Sequence, residues 1–328
     1  MPALPAAATA AWLLDPANPT VRRLAVARLG LEDGTDPVAP PIPDEPWVAA
    51  LLAEPRRAHG DPAPLHAYQK WAGAHWRLAS LAELDVPAED PAVEPLIAEG
   101  FRRVTAWLES PGRLGAVAIV HGRARVCGSM EGLAAWSAIR HGLAGEPGVG
   151  RAIERLVDWQ WPDGGWNCDR HPEASHSSFN ESFAAIRALD AYAAVAGGTA
   201  VGRDARAAAD RGLELLLVHR VDRSHRTGRL AHPSLDGQCW PPYWHYDRLV
   251  GLRVLMDAGR LGDPRTRQAV EDLRKAASRD GRWRPSRRHW RPPGTVAAGV
   301  EAVDWTAEGS AKVLTLQAIE VLRAADAT

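Results

Sequence analysis

Four ionisable residues could perform acid–base chemistry because they stand in segments rich in aromatic or polar residues: Asp247, His245, Asp304 and Glu181. An apolar, aromatic cavity raises the pKa of a carboxyl group into the range that a general acid needs. Asp247 is the first candidate, since a run of aromatic residues precedes it and His245 could tune its proton affinity. Asp304, which precedes Trp305, is the second. The structural alternative is helix N-capping, a frequent role of aspartate.

Aromatic side chains form a second candidate set. They could line a pocket that holds an apolar polyene and stabilises a cation by the faces of the rings. They could also stack on sugar rings, or belong to the core. We expect the substrate-binding residues to be Tyr68, Trp71, His75, Trp76, Trp166, Phe179, Asn180, Tyr243, Trp244 and Trp305.

The chain contains three cysteines, Cys127, Cys168 and Cys239, and each precedes a predicted helix. Thiolates together with nearby histidines and aspartates could bind zinc. However, no CxxC or HxxxH spacing supports a metal site, and free cysteine also packs as a small buried hydrophobic residue. We therefore expect inert thiols and no cofactor, and the alternatives are a reactive thiol and a zinc site. No other cofactor is predicted.

Apolar residues recur at helical spacing along most of the chain, and the alternation typical of strands is nearly absent, which predicts an all-α fold. The helices come in pairs, an alanine- and leucine-rich helix followed by a more charged one, with Gly, Pro and Asp in the connections. The predicted pairs are 75–84 with 90–109, 129–143 with 146–160, 177–195 with 202–220, and 245–259 with 263–278. Fainter copies are 19–30 with 44–54 and a last helix, 306–325.

A repeat of roughly 50 to 65 residues is typical of arrays of supersecondary units that stack to bury their faces. If the N-terminal AAWLL segment pairs with the last helix, six helical hairpins could close into one α/α toroid, a single domain over residues 1–328. The apolar helices would line the inside, because only a helix covered on all sides has so few polar residues. A site would form where the segments that open these inner helices converge. These segments are 68–77, 125–132, 166–182, 237–247 and 303–310.

The segment WQWPDGGWN, residues 159–167, contains the strongest turn signal of the chain. Its Asp163-Gly164-Gly165 sequence predicts a tight turn with positive φ. Trp166 could cover a helix end and place its indole N–H on a carbonyl. With the SSFNES segment that follows, this motif resembles the QW-type repeat of squalene and hopene cyclases and of protein prenyltransferase β subunits. The resemblance implies an α/α toroid, and 107–115 and 278–283 are weaker copies of the motif.

The sequence also departs from this superfamily. It lacks the Asp-x-Asp-Asp acid of the protonating cyclases and the zinc-ligand spacing of the prenyltransferases, and its length suits one toroid rather than two. The resemblance implies an enzyme that acts on an isoprenoid or other apolar substrate in the central cavity. From its aromatic neighbours, we expect Asp247 to be the acid. Two alternatives are a carbohydrate-active hydrolase or lyase, with carboxylates such as Asp247 and Asp304, and a non-catalytic scaffold.

The charges nearly cancel, with 39 basic and 40 acidic residues, so no net field would draw the chain to nucleic acid. No apolar run approaches the roughly 18 residues of a membrane-spanning helix, and the N-terminus lacks the positive region of a signal peptide. Scattered cysteines favour reduced thiols over a disulfide framework. We therefore expect a cytoplasmic protein with an apolar small-molecule substrate, no nucleic-acid partner and no transmembrane segment. The sequence identifies no protein partner.

Overall fold

The computed structural model describes residues 6–32, 40–53, 65–296 and 298–328, and this part of the chain is mostly helical. The helices are α1 (Ala7–Leu13), α2 (Pro19–Leu29), α3 (Pro46–Leu52), α4 (Ala74–Glu83), α5 (Glu94–Leu108), α6 (Pro111–Gly115), α7 (Gly128–Arg140), α8 (Pro147–Asp158), α9 (Phe179–Ala196), α10 (Ala200–Val218), α11 (Arg248–Asp257), α12 (Arg267–Lys275) and α13 (Ala307–Asp326). Short 3₁₀ turns lie at Ile42–Asp44, Pro233–Leu235 and Pro264–Thr266. The all-α prediction and the predicted helix pairs are confirmed, with ends that differ by a few residues. Glu54, the predicted end of one helix, lies outside the described residues.

A small β-hairpin, which the sequence did not predict, separates α6 from α7. Its strands are β1 (Ala118–Val120) and β2 (Arg123–Arg125), paired antiparallel with Ile119 opposite Ala124. His121 and Gly122 form the two-residue turn, and both have positive φ, 50° and 72°, as tight hairpin turns require. The hairpin leads directly into the start of α7.

The helices differ in burial as the composition predicts. Every residue of α4 is buried, and α7, α9, α11 and α13 are covered on most sides. By contrast, α5, α8, α10 and α12 bury one face and expose the other. Within the described residues, no helix combines the length and the apolarity needed to cross a membrane.

The buried helices contact one another in chain order. Helix α4 packs on α7, α7 on α9, α9 on α11, α11 on α13, and α13 on α2. Two arginines of α2 reach the end of α4: Arg28 donates to the carbonyl oxygen of Glu83 at 2.8 Å, and Arg23 to that of Leu84 at 3.1 Å. The exposed helices pack outside this series, with α8 and α10 on α9 and α12 on α11 and α13. Helix α1 contacts α13 and α2.

Two tryptophans fasten exposed helices to buried ones by the same pair of hydrogen bonds. The Trp166 indole N–H donates to the carbonyl oxygen of Leu156 in the last turn of α8 (3.0 Å), and its backbone N–H donates to Ser182 Oγ on α9 (3.1 Å). Trp283 does the same with Leu273 in α12 (2.9 Å) and with Thr315 Oγ1 on α13 (3.0 Å). Such bonds satisfy carbonyl groups that a helix end leaves without a partner.

The turn before Trp166 has the conformation that its glycines predict. Gly164 has a φ of +96°, and a Cβ at this position would lie 2.3 Å from the carbonyl oxygen of Arg211. The Gln160 side-chain amide donates to the carbonyl oxygens of Gly164 and Ala208, both at 2.8 Å. The turn is therefore pinned against α10, and the chain beyond it enters the start of α9 in a fixed direction.

Candidate functional site

The segments that open the buried helices meet at one end of the helical assembly. The backbone N–H of Tyr246 donates to Asn180 Oδ1 at 2.8 Å, which joins the starts of α9 and α11. The rings of Trp71 and Tyr243 are stacked with centroids 4.2 Å apart, which joins the segments before α4 and α11. Residues predicted to form a site are therefore neighbours, although they are far apart in sequence.

Two of the three cysteines lie beside a glutamate at this end. The ligand atoms of Cys127, Cys168 and Glu181, which we call the Cys–Glu cluster, all lie within 4.8 Å of one another. The Cys168 thiol lies 3.4 Å from Glu181 Oε1. The backbone N–H of Val126 donates to the carbonyl oxygen of Asn167 at 3.1 Å. Because Cys127 follows Val126 and Cys168 follows Asn167, this bond brings the two cysteines together.

Ser129 holds the carboxylate of the cluster. Its hydroxyl donates to Glu181 Oε2 at 2.6 Å, and its backbone N–H, in the first turn of α7, donates to the same oxygen at 3.2 Å. The partial positive charge of a helix N-terminus favours an anion at this place. Glu181 is thus fixed through one oxygen, and its other oxygen faces the thiols.

The cluster concentrates acidic groups in a partly buried place. The pKa of the Cys127 thiol is raised by the contact of this thiol with Cys168, by its burial and by the negative charge of Glu181. The two thiols are half-buried and Glu181 is buried. A cation that binds here would displace the thiol protons, as metal binding to cysteine requires, and would offset the negative charge of the resulting thiolates and of Glu181.

The donor set fits zinc. Two thiolates and a carboxylate are ligands that zinc accepts, and three protein ligands with one open position are typical of catalytic zinc sites. Within the described residues, this is the sole group of three such ligands close enough to hold one ion. Cys239 is not part of it. It is buried, its backbone N–H donates to Asp247 Oδ2 at 3.3 Å, and burial raises the pKa of its thiol.

Aromatic rings form a wall beside the cluster. The half-buried Tyr68 ring stacks on Trp107 at 4.7 Å and lies 4.9 Å from the ring of Trp76. Burial and the nearby charge of Cys127 raise the pKa of the Tyr68 hydroxyl. The buried ring of His75 lies 5.3 Å from that of Tyr68. The Tyr68 face of the wall therefore borders the thiols.

His75 is the polar residue of this wall. Neither of its ring nitrogens has a hydrogen-bond partner among the described residues. Burial lowers its pKa to about 3, so the ring is neutral and offers one donor and one acceptor.

Asp247 occupies the N-cap of α11. Its Oδ1 accepts from the backbone N–H of Val250 at 2.9 Å, and its Oδ2 accepts from Cys239. Burial raises its pKa to about 6, against the lowering effect of these backbone bonds. The His245 ring bonds to the Pro242 carbonyl oxygen at 3.0 Å instead, and burial lowers its pKa to about 3. This geometry is that of the capping alternative.

The other predicted site residues occupy varied positions. Asp304 is exposed and accepts from the backbone N–H of Thr306 at 3.2 Å. Trp305 is fully buried against Trp47 and Trp240. The remaining rings pack on neighbouring aromatic residues: Phe179 on Tyr246, Trp71 on Trp76, and Trp244 on His245, which itself stacks on His289. Trp166 serves the helix connection described above.

Glu301 is an acid at this end that is not among the predicted site residues. It is 2% exposed, its Oε2 has no hydrogen-bond partner among the described residues, and its Oε1 accepts from the backbone N–H of Ala302 at 2.8 Å. Burial raises its pKa to about 8, against the lowering effect of nearby backbone N–H groups and the Trp305 indole, so it is largely protonated at neutral pH. No local pattern distinguishes it from a surface glutamate, because its burial depends on the helices around it. Ser129 and Trp107 were missed for the same reason.

Comparisons with known proteins add no family or activity: a scan of protein-family models and searches of curated proteins and of solved structures found no match to this chain.

Proposed function

We propose that the helices close into an α/α toroid and that the protein is a metal-dependent enzyme acting on an isoprenoid or another apolar substrate beside the Cys–Glu cluster. The closed ring is supported by the order of contacts, in which each buried helix packs on the next and α2 lies between α13 and α4. The type of chemistry is supported by the resemblance of the sequence to cyclases and prenyltransferases.

The observation that carries this proposal is the convergence of Cys127, Cys168 and Glu181. They come from the starts of two helices and the connection between them. A stable fold does not need two half-buried thiols against a carboxylate, and this contact raises the pKa of the Cys127 thiol. A bound cation would account for this arrangement, because all three side chains can act as its ligands.

The protein side chains have distinct parts in this proposal. Zinc held by three side chains would supply a Lewis acid with an open position. Ser129 orients Glu181 by its bond to Oε2, so that Oε1 points to the thiols. Tyr68 and Trp107 offer apolar faces for the substrate, and these faces can stabilise a developing cation. His75 offers a neutral polar contact.

Metal content tests the first half of the proposal. We expect about one zinc ion per chain in protein purified under reducing conditions, measured by elemental analysis. Cobalt substitution should give a thiolate charge-transfer absorption. Both signals should be lost in Cys127→Ser and Cys168→Ser. They should remain in Cys239→Ser, the matched control, because Cys239 lies outside the cluster.

Two results would contradict a metal site. One is wild-type protein that takes up neither zinc nor cobalt while its thiols are reduced. The other is equal metal loss in all three serine variants, which would indicate general damage to the fold.

Substrate turnover tests the second half. Metal-loaded protein is incubated with farnesyl diphosphate or with squalene, and products are analysed by mass spectrometry. We expect conversion of farnesyl diphosphate, lost in Cys168→Ser and retained in Cys239→Ser. Metal binding without conversion of either probe would limit the proposal to a metal site.

A second candidate function is acid-catalysed rearrangement, and the specific observation that favours it is Glu301. A buried carboxylic acid that keeps its proton at neutral pH and has one oxygen unbonded is suited to proton donation. Squalene conversion that is lost in Glu301→Gln but not in Cys168→Ser would favour this function. The reverse pattern would exclude it.

A further inference from the structure

A cavity of about 410 Å³ lies at the opposite end of the buried helices from the Cys–Glu cluster. Side chains from the later parts of α4, α7, α9, α11 and α13 line it, and Arg28 of α2 joins them. On α9, the cavity residue Arg187 lies six residues after Glu181, which is about 9 Å along the helix. The cavity is therefore separate from the proposed metal site.

On the floor of the cavity, two buried arginines share one buried carboxylate. Glu83 receives hydrogen bonds from Arg187 (2.6 Å) and from Arg253 (2.8 Å), so one carboxylate serves two guanidinium groups. Both arginines are more than nine-tenths buried. The Nε atom of each lacks a hydrogen-bond partner among the described residues. Another carboxylate near them, Asp257, lies 3.4 Å from Arg187 and is partly exposed, so a ligand carboxylate could take its place beside the two guanidinium groups.

The Arg187 guanidinium is also held in place. It lies over the Trp136 ring at 3.8 Å from the centroid, and the bond to Glu83 fixes its other side. A planar guanidinium with a fixed orientation is well suited to binding a carboxylate. The site is thus organised before any ligand binds.

The acidic groups at the rim of the cavity differ in how closely they pair with arginines. Asp85 pairs with Arg28 and Arg140, both at 2.6 Å. Asp190 pairs with Arg206. Asp257 pairs within the described residues with Arg187, at 3.4 Å, and its side chain is 43% exposed.

Glu320 is the remaining acid of the lining. It lies 3.6 Å from Arg28, and burial raises its pKa. The lining therefore offers two buried guanidinium groups with unpartnered Nε atoms and, near them, one partly exposed carboxylate.

We propose that this cavity binds a small zwitterion of the amino-acid class, with the ligand carboxylate on Arg187 and Arg253 and the ligand ammonium group on Asp257. The ligand carboxylate would pair with the two guanidinium groups, and its ammonium group would keep Asp257 paired. A purely structural ion network would explain the pairing of Glu83, but it would not need an open volume beside it.

Thermal-shift screening with the protein α-amino acids at millimolar concentration tests the proposal, followed by calorimetry. For L-phenylalanine the matched probes are 3-phenylpropanoate, which lacks the ammonium group, and 2-phenylethylamine, which lacks the carboxylate. L-Alanine is compared with propanoate and ethylamine in the same way. We expect at least one amino acid to bind tenfold or more tightly than both of its matched probes.

Two variants locate the binding. Ala191→Leu adds volume to the cavity wall without touching an ion pair, so it should abolish binding while leaving the ligand-free melting temperature near that of wild type. Val195→Leu lies on the same helix but outside the lining, and it should bind as wild type does. Arg187→Lys keeps the charge but loses the planar group, and should weaken binding at least tenfold.

Three results would overturn the proposal: no amino acid binds, a carboxylate probe binds as tightly as its amino acid, or Ala191→Leu binds like wild type. All of these measurements are independent of metal content and of turnover at the Cys–Glu cluster.

Discussion

The Ser129 hydroxyl lies 2.6 Å from Glu181 Oε2 and links the first turns of α7 and α9. This bond, together with the N–H of the same serine, leaves one oxygen of the carboxylate directed at Cys168. Groups that hydrogen-bond a metal ligand commonly fix its orientation and change metal affinity when removed. Ser129 is therefore a positioning residue for the proposed metal site.

Ser129→Ala should weaken zinc binding by about 10- to 100-fold, measured by competition with a chelator. The physical reason is that Glu181 loses the side-chain hydrogen bond that orients it and keeps only the backbone one. Ser137→Ala is the matched control, because Ser137 lies on the same helix and donates to the Ala134 carbonyl oxygen instead. Equal affinities of the two variants for zinc would show that Ser129 does not position the ligand.

Trp166→Phe and Trp283→Phe should each lower the free energy of unfolding by about 1 to 3 kcal/mol more than Trp240→Phe. Phenylalanine lacks the indole N–H, so the carbonyl groups of Leu156 and Leu273 would lose their donors. The Trp240 side chain is also buried, but its Nε1 has no partner among the described residues. Urea denaturation checks this. If all three variants lose the same free energy, the two indole bonds add nothing beyond packing.

The sequence predicts the helices well because their signals are local. The apolar spacing of α9 and the Gly-Gly turn before it can be recognised from neighbouring residues, and the structure has both. The β-hairpin before α7 was missed because its strands are three residues long, too short to show an alternating pattern. Its turn, His121-Gly122, resembles many loop sequences.

The candidate site is only partly predictable because it depends on distances between helices. Spacing along the chain gave no reason to group Cys127 and Cys168 apart from Cys239. In the structure, a backbone hydrogen bond between Val126 and Asn167 brings Cys127 and Cys168 together, and Cys239 is not in the cluster. Similarly, the sequence favoured Asp247 as an acid, but capping and catalysis require the same residue type. The structure shows the capping bond to Val250, and the acid role stays a prediction.

Glu301→Gln should become more stable relative to wild type as the pH rises from about 4.5 to 8. Burial raises the pKa of Glu301 from 4.5 to about 8 in the folded protein, so the folded state holds this proton more tightly than the unfolded state does. Its stabilising contribution is present at low pH and is lost as the pH passes through the folded-state pKa. The full difference is at most about 5 kcal/mol.

Urea denaturation of both proteins across this pH range is the measurement for Glu301, and the low-pH comparison is the internal control. A difference between the two proteins that stays constant with pH would show that Glu301 is not buried in its neutral form.

Glu83→Gln should destabilise the protein by about 3 to 5 kcal/mol, the usual cost of removing one partner of a buried ion pair. The amide cannot compensate the charges of Arg187 and Arg253, which both donate to Glu83 in the wild type. Glu320→Gln is the matched control in the same cavity. Its contact to Arg28 is longer, 3.6 Å, and burial already disfavours its charge, so we expect little loss. Equal losses in the two variants, measured by urea denaturation at neutral pH, would mean that Glu83 is not the anchor of the cavity floor.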